Sequence, residues 1–294
     1  MMRAAAAGLL LLVASLHAIE AQEIKRFSLA TTPSIERTGI LNALVLAFQT
    51  ETGTRVQLVP ASDTNPFEAG RRGDVEAMLV TDLAETERFV SEGFGVEARG
   101  AFYTDFVLAG PADDPAGVKG VHDIAVALRR LAAARVPFVS RSDDSASHQR
   151  ELRLWREAGI ELPGVEQGWY RRLGRGARPT LEAAVAAPAY LLVNRLTWAR
   201  YRHPHGLRIL VEGDSRLRAI VHSVRVNPAR FDFLRDEEAE QWSSWLHSPA
   251  GQAAVASFRI EGQVVYFPIA TWPEALGVAL PPMSWSIHPE QRWP

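Results

Sequence analysis

Residues 138–148, Phe138-Val139-Ser140-Arg141-Ser142-Asp143-Asp144-Ser145-Ala146-Ser147-His148, pass from apolar to polar in a way that sets the reading of the whole chain. Val136, Phe138 and Val139 are the apolar positions of a short buried strand. Asp143, Asp144 and Ser145 are N-cap residues, Gln149 to Ala158 is rich in helix formers, and Gly159 suits a C′ position. The spacing predicts strand, polar loop and a helix opening near Ser145. The first N–H groups of a helix lack intrahelical partners and carry about half a positive charge, so they favour an anion. Arg141 adds a permanent, forked cation, and Ser142, Ser145 and Ser147 add hydroxyls. From these residues alone the segment reads either as an anion site or as a capped helix start beside a surface arginine.

The same alternation runs outward on both sides. Ile24 to Ala30 reads as a strand, followed by the polar turn Thr31 to Gly39. Ile40, Leu41, Leu44, Val45 and Phe48 recur at helical spacing up to Gly53. Val56 to Val59 and Val75 to Val80 are further strands, with the turn Pro60 to Pro66 between them, and Leu83 to Glu92 is helical. Strand, loop and helix in repetition predict an α/β chain of mostly parallel sheets flanked by helices, with ligands collecting at the carboxyl ends of the strands.

Phe106 to Ala109 is a strand, and Gly110 to Gly117 is a dense turn at which the chain is expected to cross into a second lobe. The paired Asp113 and Asp114 there fit a turn better than a metal site. The second lobe carries a helix around 121–134, the Arg141 segment, and the cationic loop Gly174-Arg175-Gly176-Ala177-Arg178-Pro179-Thr180, which alone reads as a surface turn rather than a phosphate cradle. Ile209 to Val211 is a strand, and Ile220 to Val226 runs back to the first lobe. Glu237 to Leu246 and a helix capped at Ser248 follow.

At 294 residues and 47% hydrophobic content the chain can bury a large core. A net charge of −2 supplies no basic field for nucleic acid or an anionic membrane. The lack of cysteine excludes disulfides, thiolate metal sites and cysteine nucleophiles. Met1-Met2-Arg3, the apolar run Ala4 to Leu16, and small residues at Ala18 and Ala21 form a secretory signal peptide over 1–21, with export to the periplasm implied. Neither a Gly-x-Ser-x-Gly elbow nor a His-Glu-x-x-His motif occurs, and Ser147 beside His148 cannot form a dyad because neighbouring helix residues point apart, so an enzyme is not expected. His203 and His205 flank Pro204 without evident further metal ligands. No cofactor is expected.

Several stretches together carry a resemblance: Leu29-Ala30-Thr31-Thr32-Pro33-Ser34, Gly70 to Asp74, Tyr103 to Pro115, Phe138 to His148, Leu210 to Asp214, and Ser248 to Gln252. Over Ile24 to Phe267 the chain resembles the periplasmic tungstate-binding proteins of ABC importers, of type II two-lobe architecture. The resemblance implies two lobes joined by two crossover segments: 22–106 and 222–271 for lobe 1, 107–221 for lobe 2, and an irregular tail over 272–294. It also implies a monomer that captures tungstate or molybdate between the lobes and hands it to an inner-membrane permease. Carried over by motif, Thr32 and Ser34 match the first turn. Arg141 matches the arginine of the family loop Ser-Arg-Gly-Asp-Asp-Ser-Gly-Thr, and Ser147 matches its threonine, with Ser145 beside it.

The departures bear on the ligand. Ser62-Asp63-Thr64 stands where the family has Gly-Thr-Gly, and Arg175 and Arg178 lie in a loop that is uncharged in the family. A doubly negative oxyanion wants donors only; two like charges at about 4 Å repel by roughly 4 kcal/mol at an effective dielectric near 20. Asp63 in the cleft therefore demands compensation by Arg175 and Arg178, or a ligand that donates a proton, such as a protonated anion or a small organic acid. The alternatives are that Asp63 bonds within its own turn, or that the fold serves a secreted sensor or accessory protein without transport.

Overall fold

The computed structural model describes residues 25–162, 168–201 and 205–269. The expected signal peptide, His203 and the tail from Trp272 lie outside the described residues.

Three parallel strands start the chain: β1 (Arg26–Thr31) pairs on one side with β2 (Arg55–Val59) and on the other with β3 (Ala77–Val80). Between them run α1 (Pro33–Glu36), α2 (Ile40–Thr52) and α3 (Pro66–Arg72), and α4 (Leu83–Ser91) follows β3. Gly53 closes α2 at φ +73°, a left-handed position that favours glycine. All four residues of β3 are buried, as a strand covered on both faces requires.

The next strand, β4 (Gly95–Pro111), is 17 residues long. Its first part pairs antiparallel with β9 (Arg218–Val226), which also lies against β3. The remainder, Phe106 to Pro111, pairs with β7 (Leu191–Asn194) and β8 (Leu207–Val211). With the short β10 (Phe267–Pro268) at its edge, the strand order on the first side is β10–β4–β9–β3–β1–β2. The second side adds β5 (Phe138–Ser140) parallel to β6 (Tyr170–Arg172), with a parallel bridge from Phe138 to Tyr190 leading into β7. Helices α5 (Ile124–Ala134), α6 (Ala146–Glu157) and α7 (Ala177–Ala186) cover that side. The short α8 (Arg195–Arg200) follows β7, while α9 (Asp236–His247) and α10 (Pro249–Ser257) return to the first side.

Side chains sort by the two-residue period of a strand. Phe106 and Leu108 enter one core group with Phe138, Trp155 and Tyr190; Val107 and Ala109 enter another with Val139, Leu181 and Trp198. On the first side Phe27 and Leu29 join Phe48 and Trp242, whose rings meet Phe48 edge-on at 5.2 Å. The change of core falls within two strands: Phe102 packs on the first side and Phe106 on the second, as do Val221 and Ala219. The turn at Gly110 to Gly117, where the sequence places the crossing, comes after β4 has already joined the second core. The ion pair of Arg195 with Asp105, at 2.8 Å from Nη2 to Oδ2, lies beside this change, and Glu212 also accepts from Arg195 at 2.6 Å. Although α8 lies between β7 and β8, Ala199 and Leu196 pack on the first core, and Arg200 donates to the Arg37 carbonyl at 2.7 Å.

The corner between α9 and α10 is set by Ser248, which caps α10 through the Gly251 N–H at 3.2 Å. A Cβ on Gly251 would run into the Trp245 carbonyl oxygen and the Leu246 Cα, both main chain and unable to give cheaply. Gly251→Ala should therefore cost about 1–3 kcal/mol and lower the melting temperature by several degrees; thermal melts with the wild-type midpoint would show that the corner is looser than its geometry.

Candidate functional site

Because β5 and β6 are parallel and β7 continues the parallel bridge at Tyr190, the loops after all three leave from one edge of the second sheet. The loop after β5 opens α6, whose N-cap Ser145 accepts the His148 N–H at 3.3 Å. The loop after β6 opens α7, where Gly176 caps without a side chain and Pro179 contributes no N–H. This leaves the Ala177 and Arg178 amides as open donors of the first turn. The two loops are sewn together by backbone bonds from Leu173 N–H to the Ser140 carbonyl, 3.1 Å, and from Arg175 N–H to the Arg141 carbonyl, 3.0 Å. Two helix N-termini thus face one pocket, whose polar walls are Arg141, Ser147, Thr180 and Asn194.

Arg141 is held in place. Its Nη2 and Nε donate to Asp143 Oδ2 at 2.6 and 3.1 Å, leaving its Nη1 edge without a partner among the described residues. The other oxygen of Asp143 accepts from the Ser145 hydroxyl at 2.7 Å. Burial works against the charged Asp143, but the Ser145 hydroxyl and the Arg141 guanidinium outweigh it and hold the carboxyl below its usual range. Asp143 therefore stays ionised and fixes the arginine.

Beneath the loop lies Glu151, 3% exposed, which accepts from the Tyr170 hydroxyl at 2.6 Å. Burial pushes its carboxyl up to about 7, against the opposing pull of the Tyr170 and Ser140 hydroxyls and of Arg141. Burial and the adjoining Glu151 likewise push the Tyr170 phenol upward.

On the first side, Thr32 is the residue before α1, and its hydroxyl meets that of Ser34 at 3.0 Å. The two sit at the carboxyl end of β1, where the sequence places them. Asp63 does not face an arginine: it is exposed, accepts the Ser62 hydroxyl at 2.8 Å and belongs to a turn closed on the Pro60 carbonyl. The cap of α3 is Asn65, whose Oδ1 accepts from Phe67 N–H at 2.9 Å. Arg178 is 80% exposed and pairs with Glu182 one turn on, at 2.9 Å. Arg175 is exposed and reaches the Arg141 loop through its backbone. The structure thus gathers Arg141 and Ser147 in one pocket, keeps Thr32 and Ser34 together on the other lobe, and sets the side chains of Asp63, Arg175 and Arg178 outside the pocket walls.

A model of the PBP superfamily domain matches residues 17–250. The chain belongs to the PBP superfamily. Among its relatives, the tungstate-binding protein TupA of Peptoclostridium acidaminophilum is 33% identical over 232 residues, which is 78% of this chain and 80% of the relative. The tungstate-binding protein TupA from Desulfovibrio alaskensis G20 has a solved structure; it is 34% identical, superposes with a TM-score of 0.75, and the match covers 83% of this chain and 98% of that one. The tungstate ABC transporter structure from Geobacter sulfurreducens is 30% identical with a TM-score of 0.61, over 79% of this chain and 98% of its own. Within the PBP superfamily this chain therefore belongs with the TupA proteins, which are binding components and not enzymes, and the chain is no enzyme.

The Arg141 loop is strained where it turns: Ser142 has φ +46° and Asp144 φ +55°, left-handed positions that favour glycine. A left-handed non-glycine residue costs about 1 kcal/mol. The Ser142 hydroxyl recovers little of this, since its bond to Ser140 is 3.4 Å long. Thr180 and Asn194 are pocket residues that sequence reading missed; Asn194 carries a signal, an N-cap residue directly after the apolar run Leu191 to Val193, and its side chain accepts from Leu196 N–H at 2.8 Å. Ser142→Gly should raise stability by about 1 kcal/mol, read as a melting temperature a few degrees higher. A lower midpoint would assign the hydroxyl a bond stronger than its length suggests.

Proposed function

We propose that this chain is the extracytoplasmic solute-binding component of an ABC importer and that it captures a small oxyanion, tungstate or molybdate, in the cleft between its lobes. The observation that carries this reading is the pocket at the strand ends of the second lobe, where the Nη1 edge of Arg141, the Ser147 hydroxyl and two helix N-termini present donors. A tetrahedral dianion without protons matches such a set. The names of the relatives point to the same ligand class. Thr32 and Ser34 supply hydroxyls from the facing lobe, and closure about the two crossing strands brings the halves together.

The location of Asp63 favours the oxyanion over a proton-donating ligand, because an exposed carboxylate occupied by Ser62 does not oppose a dianion in the cleft. The partner is an inner-membrane permease, the place of work is the periplasm, and the working form is a monomer; the signal-like N-terminus supports export. Among the described residues no helix is long and apolar enough to cross a membrane.

Arg141→Ala should reduce tungstate affinity at least a hundredfold while leaving the fold melting cooperatively, since a charge-assisted, fixed contact is lost. Arg178→Ala, by contrast, should bind within about twofold of wild type, because an exposed ion pair contributes little. Calorimetry distinguishes the two, and equal affinities for Arg141→Ala and wild type would remove the pocket from the function.

A further inference from the structure

We propose that Glu151 takes up one proton when an oxyanion docks at the Arg141 loop, so that this buried carboxyl helps set how tightly the anion is held. The inference rests on the oxyanion reading above and adds to it a positioning residue that does not touch the ligand.

The geometry begins with helical spacing. Glu151 follows Ser147 by four residues on α6, so it lies one turn deeper on the face that Ser147 presents to the pocket. Helical side chains lean toward the N-terminus, which brings the carboxyl up beneath the loop. Its surroundings provide hydroxyls, the Trp155 indole N–H and no partnering cation. Tyr170 of β6 donates at 2.6 Å, and Ser140 of β5, the residue before Arg141, also reaches it. Arg141 is the nearest cation, and its bonded edge is committed to Asp143.

The other ionisable groups on adjoining elements are exposed, as are Arg153, Arg156 and Glu157 of α6 and Arg171 of β6, or engaged elsewhere. His148, on the same helix, accepts the Asp144 N–H on Nδ1 at 3.2 Å. Arg150 donates to the Arg216 and Arg218 carbonyls, and Arg172 of β6 lies over the Tyr170 ring. From α5, Arg129 donates to the Ala158 carbonyl and Arg130 to the Gly117 carbonyl. The residues of β7 packed against α6, Leu191 to Asn194, carry no ionisable side chain.

Burial pushes the Glu151 carboxyl up to about 7, so near neutrality the empty protein holds it part ionised. A dianion arriving above it opposes the ionised form, and Glu151 completes its protonation from solvent; the tungstate itself is unchanged. Binding and proton uptake are then reciprocal, and raising the pH must weaken the anion's hold. Tyr170 tunes the step, because its hydroxyl bonds the ionised carboxylate and holds the proton affinity down.

The test is calorimetric titration of the mature chain with sodium tungstate from about pH 6.5 to 8.5, in paired buffers of different ionisation enthalpy, so that protons bound per tungstate are counted. Wild type should take up a fraction of a proton that rises toward one with pH, and its Kd should increase several-fold across the range. Glu151→Gln, neutral at every pH and similar in shape, should bind tungstate with no uptake, a flat pH profile, and greater affinity than wild type at the alkaline end. Tyr170→Phe should shift the midpoint of the wild-type profile to higher pH, an outcome a merely structural role would not produce. Tungstate binding without proton uptake, or uptake that persists in Glu151→Gln and disappears in His148→Gln, overturns the proposal. Failure of wild type to bind tungstate or molybdate at any pH removes the oxyanion reading itself, and the proposal with it.

Discussion

A strand of 17 residues at about 3.3 Å per residue runs some 55 Å, and along it β4 passes from one hydrophobic group to another. It does so beside β9, and the two strands make one antiparallel ladder that both lobes share. The donor loops hang from strands tied to this ladder at one or more removes: β1 through β3 and β9, and β5 and β6 through the Phe138–Tyr190 bridge that leads into β7, which pairs with β4. Asp105 lies where the change of core occurs, buried and bonded twice by Arg195. A buried carboxylate in that position is tolerable only with such a partner, and removing the arginine would leave it uncompensated. The register shifts along β4 loosen the ladder locally without breaking it.

From that frame the pocket follows with few further assumptions. Parallel β5 and β6 send their loops to the same edge, where α6 and α7 begin, and unpaired amides collect there because helices leave their first donors unsatisfied. The full charge comes from Arg141, oriented by an aspartate two residues away. Strain enters at Ser142 and Asp144, left-handed residues in a loop folded tightly enough to bring Ser147 near the arginine. Below this constellation sits a carboxyl that burial pushes up to about 7. The loop and the group beneath it form one electrostatic unit.

Much of this was legible in the sequence because it depends on local chemistry. Ser145 as a cap, Gly53 as a stop and the apolar spacing of α2 are decided by residues within a turn of one another. Thr32 and Ser34 enter only through the family resemblance, whereas Arg141 and Ser147 were visible by their types at a strand-to-helix junction. Asp63 was not, because an aspartate in a Ser/Thr/Asn-rich turn reads equally as a ligand, a cap or a turn residue, and only the folded chain shows Asn65 taking the cap and Ser62 taking the aspartate. Arg178 illustrates the opposite failure: its Glu182 partner lies four residues on and was available to inspection. Glu151 looks like one of several charges on an exposed helix face. Its burial depends on Tyr170, 19 residues away on another strand, and no local pattern announces that.

Whether a proton-free tetrahedral oxyanion is the ligand is measured most directly by a thermal-shift panel on the chain from Gln22, dialysed free of anions, against tungstate, molybdate, sulfate, phosphate and small carboxylates. Ligand at about one hundred times its Kd stabilises the folded state by about 2.7 kcal/mol, a rise of several degrees for a chain of this size. Tungstate or molybdate should give that rise and the carboxylates none. A midpoint that moves only with phosphate or a carboxylic acid, and stays fixed with both metal oxyanions, would contradict the oxyanion reading.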